Sequence, residues 1–269
     1  SFLRDVKWLR DGKLRVSWGV LGNQISSLYA YTNLYGIDNL NDMRGYVESS
    51  KGNQDLTWER TNTTDVGLEV SFGKWVDFEF DYFYKVTDNM LMYRAVAPSL
   101  GYSSIPTNDA KMANSGVEFA FNVHAVDTRN VKLDIRLNGS HYKNKMLQMP
   151  IDYYDKNGDP VRMIMSGSMA VGHSNYDIYT TTYMGVDDEG NATFEAYYDT
   201  RYGGLGDPYT DPKTGASKYN YISSLYMYQQ ENPDCEEYLE SVATKDGTYG
   251  TSKYIGKSML PDLDGGIGV

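Results

Sequence analysis

The stretch from Trp75 to Lys85, WVDFEFDYFYK, alternates without a break. Val76, Phe78, Phe80, Tyr82 and Tyr84 take the even positions; Asp77, Glu79, Asp81 and Lys85 are among the odd ones. Successive side chains of a strand point to opposite faces, so the segment predicts a β-strand with one aromatic and one ionised face. Four further stretches obey the same rule. Leu14, Val16, Trp18 and Val20 alternate with Lys13, Arg15, Ser17 and Gly19. Val66, Leu68, Val70 and Phe72 alternate with Asp65, Gly67, Glu69 and Ser71. Val117, Phe119, Phe121 and Val123 are set against Gly116, Glu118, Ala120 and Asn122. Val131, Leu133, Ile135 and Leu137 are set against Lys132, Asp134, Arg136 and Asn138. The pattern predicts strands over 13–20, 64–72, 76–86, 115–124 and 131–142, each about the nine to eleven residues a tilted strand needs to cross a membrane.

The connections alternate too. GKW (73–75) and HAVDTRN (124–130) are short, whereas residues 21–63, 86–114 and 143–264 are long and polar. Short turns at one end and long loops at the other are the mark of an outer-membrane barrel. The fold class this predicts is all-β, with antiparallel strands of a transmembrane β-barrel, short periplasmic turns and long extracellular loops; the family resemblance given below implies that they form part of a large barrel. A soluble β-sandwich, as in an adhesin or glycan-binding module, also puts apolar residues on one face. Its exteriors favour Thr and Ser, however, where these strands carry full charges. Parity fixes the first turn: with Gly73-Lys74-Trp75 as an odd loop, Phe72 opposes Val76, Glu69 opposes Glu79 and Ser71 opposes Asp77. A turn centred on Asp127 would set Glu118 opposite Arg136 and Asn122 opposite Lys132, a favourable cross-strand arrangement.

The chain has 269 residues, a formal net charge of −11 and 25 tyrosines. That charge argues against a nucleic-acid partner, because phosphates require Lys and Arg. Cys235 stands alone, which excludes an intrachain disulfide and a cysteine metal site. No apolar run is long enough for a transmembrane helix. The opening SFLRDVKWLR carries charges where a signal peptide would be apolar, and DLDGGIGV stops as a strand begins, so the chain reads as an internal piece of something longer. Within 143–264, DKNGDP, DDEGNA and DPKTGA predict small hairpins. NPDCEEYLESV predicts a short helix near 233–242, with Asn232 as N-cap and Pro233 in its first turn. Asp155, Asn157 and Asp159 mimic the start of a calcium loop, but Pro160 and Ser166 stand where it needs glycine and glutamate. His124, His141 and His173 lack metal-ligand spacing. The carboxylates Glu69, Asp77, Glu79 and Asp81 share a hairpin face, as a secreted β-rich hydrolase would need, yet a hydrated or docking wall is the plainer reading.

Three landmarks in order carry a family resemblance. KLRVSWGVLGNQ (13–24), GNQDLTWERTNTTDVGLEVSF (52–72, with Trp58, Glu59 and Gly67) and the pair DYFYKVTDNMLM and GYSSIPTNDAKMANSGVEF (81–92 and 101–119, with Asn114, Gly116 and Glu118) resemble the SusC/RagA-type TonB-dependent outer-membrane transporters of Bacteroidota. The resemblance covers residues 1–142, and GGIGV (265–269) resembles the start of the next family strand. NQD replaces the family's usual NPD. Residues 143–264 match no family pattern, as befits a long extracellular region. The resemblance implies a plugged barrel of about 22 strands, of which this chain supplies about a quarter. It implies uptake of glycan oligosaccharides, in fewer members oligopeptides, beneath a SusD-like surface lipoprotein. Energy would come through the TonB complex by way of the plug, with no cofactor and no catalysis. Outer-membrane lipid would meet Val76, Phe78 and Phe80, with Tyr82 and Tyr84 at the headgroup girdle. Glu69, Asp77, Glu79, Asp81, Glu118, Asp134 and Arg136 would face the lumen. The strip of Glu69, Glu79 and Asp81 would be answered by Arg or Lys of the plug or of a neighbouring strand. Substrate contacts would fall on loop aromatics, for which Tyr29, Tyr31, Tyr35, Tyr102, Tyr153, Tyr154, Tyr197 and Tyr198 are the candidates.

Overall fold

The computed structural model describes residues 8–24, 29–40, 43–102, 104–154, 158–162, 169–213 and 215–269. The chain divides into two compact units, residues 1–150 with 260–269, and residues 151–259.

In the first unit, β1 (Leu9–Asn23), β4 (Glu59–Phe72), β5 (Val76–Ala95), β6 (Ser104–Asp127), β7 (Lys132–Gln148) and β17 (Asp264–Gly268) form one antiparallel sheet in that spatial order. The strands joined by short turns are neighbours, and β17 returns to pair with β7 after the whole second unit. A hairpin of β2 (Leu34–Leu40) and β3 (Met43–Ser50) lies between β1 and β4 in sequence. The turn at Gly73 has the expected odd length. Trp75 N–H donates to Phe72 O at 3.1 Å, Gly73 adopts φ +54°, and Phe72 opposes Val76.

The apolar rows stay in register across the sheet. Leu14, Leu68, Phe80, Phe119 and Gly139 form one rung, and Val70, Phe78, Phe121 and Leu137 another. Phe78 and Phe121 pack with ring centroids 4.6 Å apart. Phe119 lies over Gly139, where a Cβ would meet its ring. Among the described residues of this unit, this face is not packed into a core: Leu14 is 68% and Trp18 72% exposed, and Phe78, Phe80, Phe119 and Ile135 are absent from the buried core. From the Phe72/Val76 rung to the Thr64/Tyr84 rung the strands rise about 27 Å, or about 20 Å of depth at a tilt of about 40°.

The strands run further than the alternation predicts. β5, β6 and β7 are 20, 24 and 17 residues long, so most of 86–114 is strand, not loop. The alternation fails there for two physical reasons. Register shifts between Thr87 and Met92, with Asn89 at φ +57°, reset the parity. Met92, Ala110, Ala113 and Met146 are buried at that height, so both faces accept apolar residues. The turn between β6 and β7 also differs from its expected register. Thr128 N–H donates to Val131 O at 2.9 Å and the Thr128 hydroxyl accepts from Val131 N–H at 3.1 Å, moving the tip beyond Asp127. With a bulge after His124, Glu118 opposes Ser140 and Asn122 opposes Arg136, while Lys132 opposes Asp127.

The second unit is built from short pieces. Its strands are β8 (Ile151–Tyr154), β9 (Pro160–Arg162), β10 (Asp177–Thr181), β11 (Tyr183–Val186), β12 (Ala192–Asp199), β13 (Pro208–Thr210), β14 (Ser217–Tyr219), β15 (Leu239–Thr244) and β16 (Ser252–Ser258). β8–β9, β11–β12 and β13–β14 are the hairpins of the three turn clusters. Asp155, Asn157 and Ser166 of the calcium-loop mimic lie outside the described residues.

The helix is not at 233–242 but at α1 (Leu225–Glu231), capped by Ser224, whose hydroxyl accepts from Met227 N–H. Asn232 closes this helix: its backbone N–H and its side-chain amide both donate to Tyr228 O, and its Oδ1, the atom an N-cap would use, accepts from Lys213. The segment after it makes one 3-10 turn, Glu236–Tyr238, and then pairs as β15 with β12. Two buried polar side chains in this unit bond backbone carbonyls across it. Asn220 Nδ2 donates to Asp199 O and Gly203 O, both at 2.9 Å, and Thr251 Oγ1 donates to Ile222 O at 2.6 Å.

Candidate functional site

Two places concentrate chemistry, one on each unit. The first is the polar face of the six-stranded sheet, where three rungs cross it. One runs Arg15, Gly67, Asp81, Glu118, Ser140 and Asp264; the next runs Lys13, Glu69, Glu79, Ala120 and Asn138; the third runs Asp11, Ser71, Asp77, Asn122 and Arg136. Six of the seven charged residues expected on one face lie on these rungs, and Asp134, two residues from Arg136 on β7 and opposite His124, shares their face. Like charges do oppose at Glu69 and Glu79, and the cations come from β1. Arg15 Nε is 3.1 Å from Glu69 and its Nη2 3.0 Å from Asp81, while Lys13 Nζ is 3.5 Å from Glu69. Arg15 reaches two strands across because Gly67, between it and Asp81, has no side chain to block the path.

At the short-turn end, a bulge between Leu9 and Asp11 accompanies Arg10 reaching Asp77 at 2.8 Å. Ser71 donates to the same carboxylate at 2.6 Å. His124 bridges Asp77 (3.1 Å) and Asp134 (2.6 Å) across the next two strands. Among the described residues Glu79, Glu118 and Asp264 have no ion-pair partner. The sheet thus has a neutralised β1 side and an acidic side, where Glu79, Asp81, Glu118 and Asp264 border one shallow groove with Asn138.

The second place is a tyrosine-lined cleft of about 480 Å³ in the second unit, between the β13–β14 hairpin and α1. Tyr202 and Tyr209 stack with centroids 4.4 Å apart, and the Arg201 guanidinium lies 5.7 Å from the Tyr202 ring. Lys218 pairs with Asp211 at 2.6 Å, which holds the Lys218 ammonium above its ordinary pKa. Lys213 Nζ ties the hairpin to the helix end through Glu231 O and Asn232 Oδ1, each at 2.6 Å. Behind the cleft, Asp199 is 1% exposed and accepts from Arg201 and from the Tyr228 hydroxyl at 2.6 Å. Burial, then the Asp199 carboxylate, drive the Tyr228 phenol far above its usual range.

The expected substrate tyrosines are divided between the two units. Tyr29, Tyr31 and Tyr35 are exposed on the first unit, where Tyr102 also lies. On the second unit Tyr154 is exposed, and Tyr153 bonds Glu231. Tyr197 and Tyr198 are consecutive on β12 and point to opposite faces: the first accepts from Lys253 at 3.1 Å, the second donates to Glu240 at 2.6 Å. The cleft tyrosines were missed, although six tyrosines fall between positions 202 and 228. That density was the available signal.

An antiparallel sheet with one uncovered apolar face and one ionised face, long strands and short turns at one end, is a sector of an outer-membrane β-barrel wall. The chain belongs to the TonB dependent receptor-like β-barrel family, whose model matches residues 6–251. It is 30% identical over 230 residues to TonB-dependent receptor P26 of Formosa agariphila, an alignment covering 82% of this chain and 22% of the relative. It is 25% identical over 258 residues to TonB-dependent receptor SusC of Bacteroides thetaiotaomicron, covering 85% and 25%. The chain thus spans about a quarter or less of these curated relatives. Solved structures of the RagAB peptide transporter and of its closed-closed state superpose with TM-scores of 0.68 and 0.69 at 21% identity, covering 99% of this chain and 25% of theirs. At that identity the likeness is one of fold.

Proposed function

We propose that the chain forms one sector of the wall of a SusC/RagA-type importer that carries oligomers across the outer membrane. The observation that carries this reading is the two-faced sheet. Val76, Phe78, Phe80, Phe119 and Phe121 meet lipid, and the rungs from Arg15, Lys13 and Ser71 meet the lumen. The second unit lies on the extracellular side with the β2–β3 hairpin, and the Gly73 and Thr128–Val131 turns lie in the periplasm. Glu79, Glu118 and Asp264 offer negative charge to cationic groups of the plug, which takes its energy from the TonB complex. A SusD-like lipoprotein covers the outer mouth.

The cargo in this reading is a glycan oligosaccharide, supported by tyrosine-rich outer segments, since flat rings stack on pyranose faces while hydroxyls bond the rim. Oligopeptides are the second reading, favoured by the fold likeness to a peptide transporter. Deleting the gene for the whole protein and measuring growth on oligosaccharides and on oligopeptides separates them. Growth lost only on an oligosaccharide is the expected result. Loss only on peptides decides for the second reading, and growth unchanged on both contradicts import.

A further inference from the structure

At its long-loop end, the apolar face of the six-stranded sheet carries unpaired charge of one sign. Lys143 and Lys145 of β7 share the facing of Ile135 and Leu137, and both are exposed, whereas Asn144 and Met146 on the other face are buried. Lys143 ends the rung of Trp18, Thr64, Tyr84 and Ser115, and Lys145 ends the next, of Val20, Asn62, Val86 and Ala113. Arg60, one rung further out on β4, continues the same sign on the same face. From the Phe72/Val76 rung to the rung of Lys145, the described residues of this face include no Asp or Glu. The first carboxylate beyond them is Asp88, which Lys111 holds at 2.7 Å and Asn62 at 3.2 Å. Among the described residues Lys143 and Lys145 have no ion-pair partner. The chain as a whole is acidic, with a formal net charge of −11, so two free ammonium groups on one edge of its apolar face call for an anion from outside.

Their position selects that anion. Side chains two residues apart on a strand stand about 7 Å apart on one face, close enough for one phosphate to lie between two flexible lysines. The hydroxyls of Ser115, directly opposite Lys143, and of Tyr84 beside it add donors. A soluble anion gains nothing from the apolar band below. An amphiphile gains from both, with its acyl chains along Val117, Phe119 and Leu137 and its phosphate at the lysines. We infer that Lys143 and Lys145 bind the phosphate headgroup of an anionic lipid in the outer leaflet, with Ser115 and Tyr84 as hydroxyl donors. The inference rests on the membrane-wall reading and gives that wall a lipid of defined charge.

The test uses a single-cysteine form of the complete transporter, with Cys235→Ser and with Val117→Cys carrying a bimane fluorophore. Val117 opposes His141, one rung towards the bilayer centre from Lys143, so the chains of a lipid seated at the lysines pass the label. The protein is placed in phosphatidylcholine vesicles in which a rising fraction of the lipid is brominated phosphatidylcholine or brominated phosphatidic acid, and quenching reads which lipid occupies the site. Phosphatidic acid should quench as if bound about tenfold more tightly than phosphatidylcholine, and high salt should shrink the difference. Lys143→Gln with Lys145→Gln should remove most of that preference, and Lys143→Arg with Lys145→Arg should keep it. Both lysines are exposed, so the substitutions leave the packing of the sheet intact. Lys245→Gln, whose lysine already pairs with Glu189 on the second unit, removes the same charge and should change nothing. Equal quenching by the two lipids, or a preference that survives the double Gln variant, overturns the inference and leaves the wall standing. Quenching by neither lipid removes position 117 from the membrane and sinks the wall reading with it.

Discussion

Gly67 is where Arg15 and Asp81 meet across an intervening strand. A Cβ there would collide with Asp81 Oδ1 and lie 2.9 Å from Arg15 Nη2. Gly67→Val is therefore expected to break the bridge and lower the unfolding free energy by about 1–2 kcal/mol, read as an earlier loss of the heat-resistant folded band on a gel. Asp199 makes the opposite kind of site, a buried charge held by partners. Burial pushes its pKa up, but hydrogen bonds from Arg201 and Tyr228 outweigh that and hold it below the ordinary 3.8. A carboxylate depressed on folding contributes stability above its unfolded pKa and loses it as pH falls through the folded value. The second unit should therefore weaken below about pH 4. Asp199→Asn should cost about 3 kcal/mol at neutral pH and flatten that acid dependence, measured by denaturant titration followed through tyrosine fluorescence. The charges of the sheet were legible from alternation alone, because period-two patterning fixes the face of every residue. Their partners were not: that Lys13 and Arg15 answer Glu69 depends on which strand lies beside β4, which parity does not encode. Ser71, seemingly neutral in sequence, also proves to bond Asp77 and Arg10.

At the scale of elements, the Gly73 turn was readable because an odd loop is the only one that keeps Phe72 and Val76 on one face. The β6–β7 turn was not, because both its expected and its observed register preserve the same facing. Side-chain bonds of Thr128 and a bulge choose between them. With Cys235→Ser as background, the cysteine pair Glu118→Cys/Ser140→Cys should oxidise to a disulfide, since directly opposed residues lie within bridging distance. The pair Glu118→Cys/Arg136→Cys should stay reduced, and the reverse outcome would restore the turn centred on Asp127. Facing can be tested with one charge. Phe80→Arg should destabilise the folded protein by about 2–4 kcal/mol, the cost of Arg on a lipid face near the bilayer midplane. Ala120→Arg, beside Glu79 on the polar face, should be neutral or stabilising, as read by urea unfolding in lipid vesicles. The helix escaped sequence reading because Asn232 fits either end of a helix, and only its bond to Tyr228 O assigns it to the preceding one.

For the molecule as a whole, family and fold were legible in residues 1–142, where membrane and lumen impose opposite demands on alternate positions. The second unit was not, because its folding rests on scattered contacts such as Asn220 with Asp199 and Gly203, which leave no periodic trace. Its orientation is testable: an epitope placed in the Asp187–Asn191 turn of β11–β12 should be labelled on intact cells, and one at Lys74 should need a permeabilised outer membrane. The most direct measurement is a spin-label scan of β5 in lipid vesicles, one label at a time from position 76 to 84, with Cys235→Ser as background. Labels at 76, 78, 80, 82 and 84 should relax with oxygen, which partitions into lipid. Labels at 77, 79, 81 and 83 should relax with a water-soluble nickel chelate or be shielded from both reagents by the plug. Oxygen access at the odd positions, or even positions shielded from both reagents as in a two-sheet core, would contradict a membrane-spanning wall.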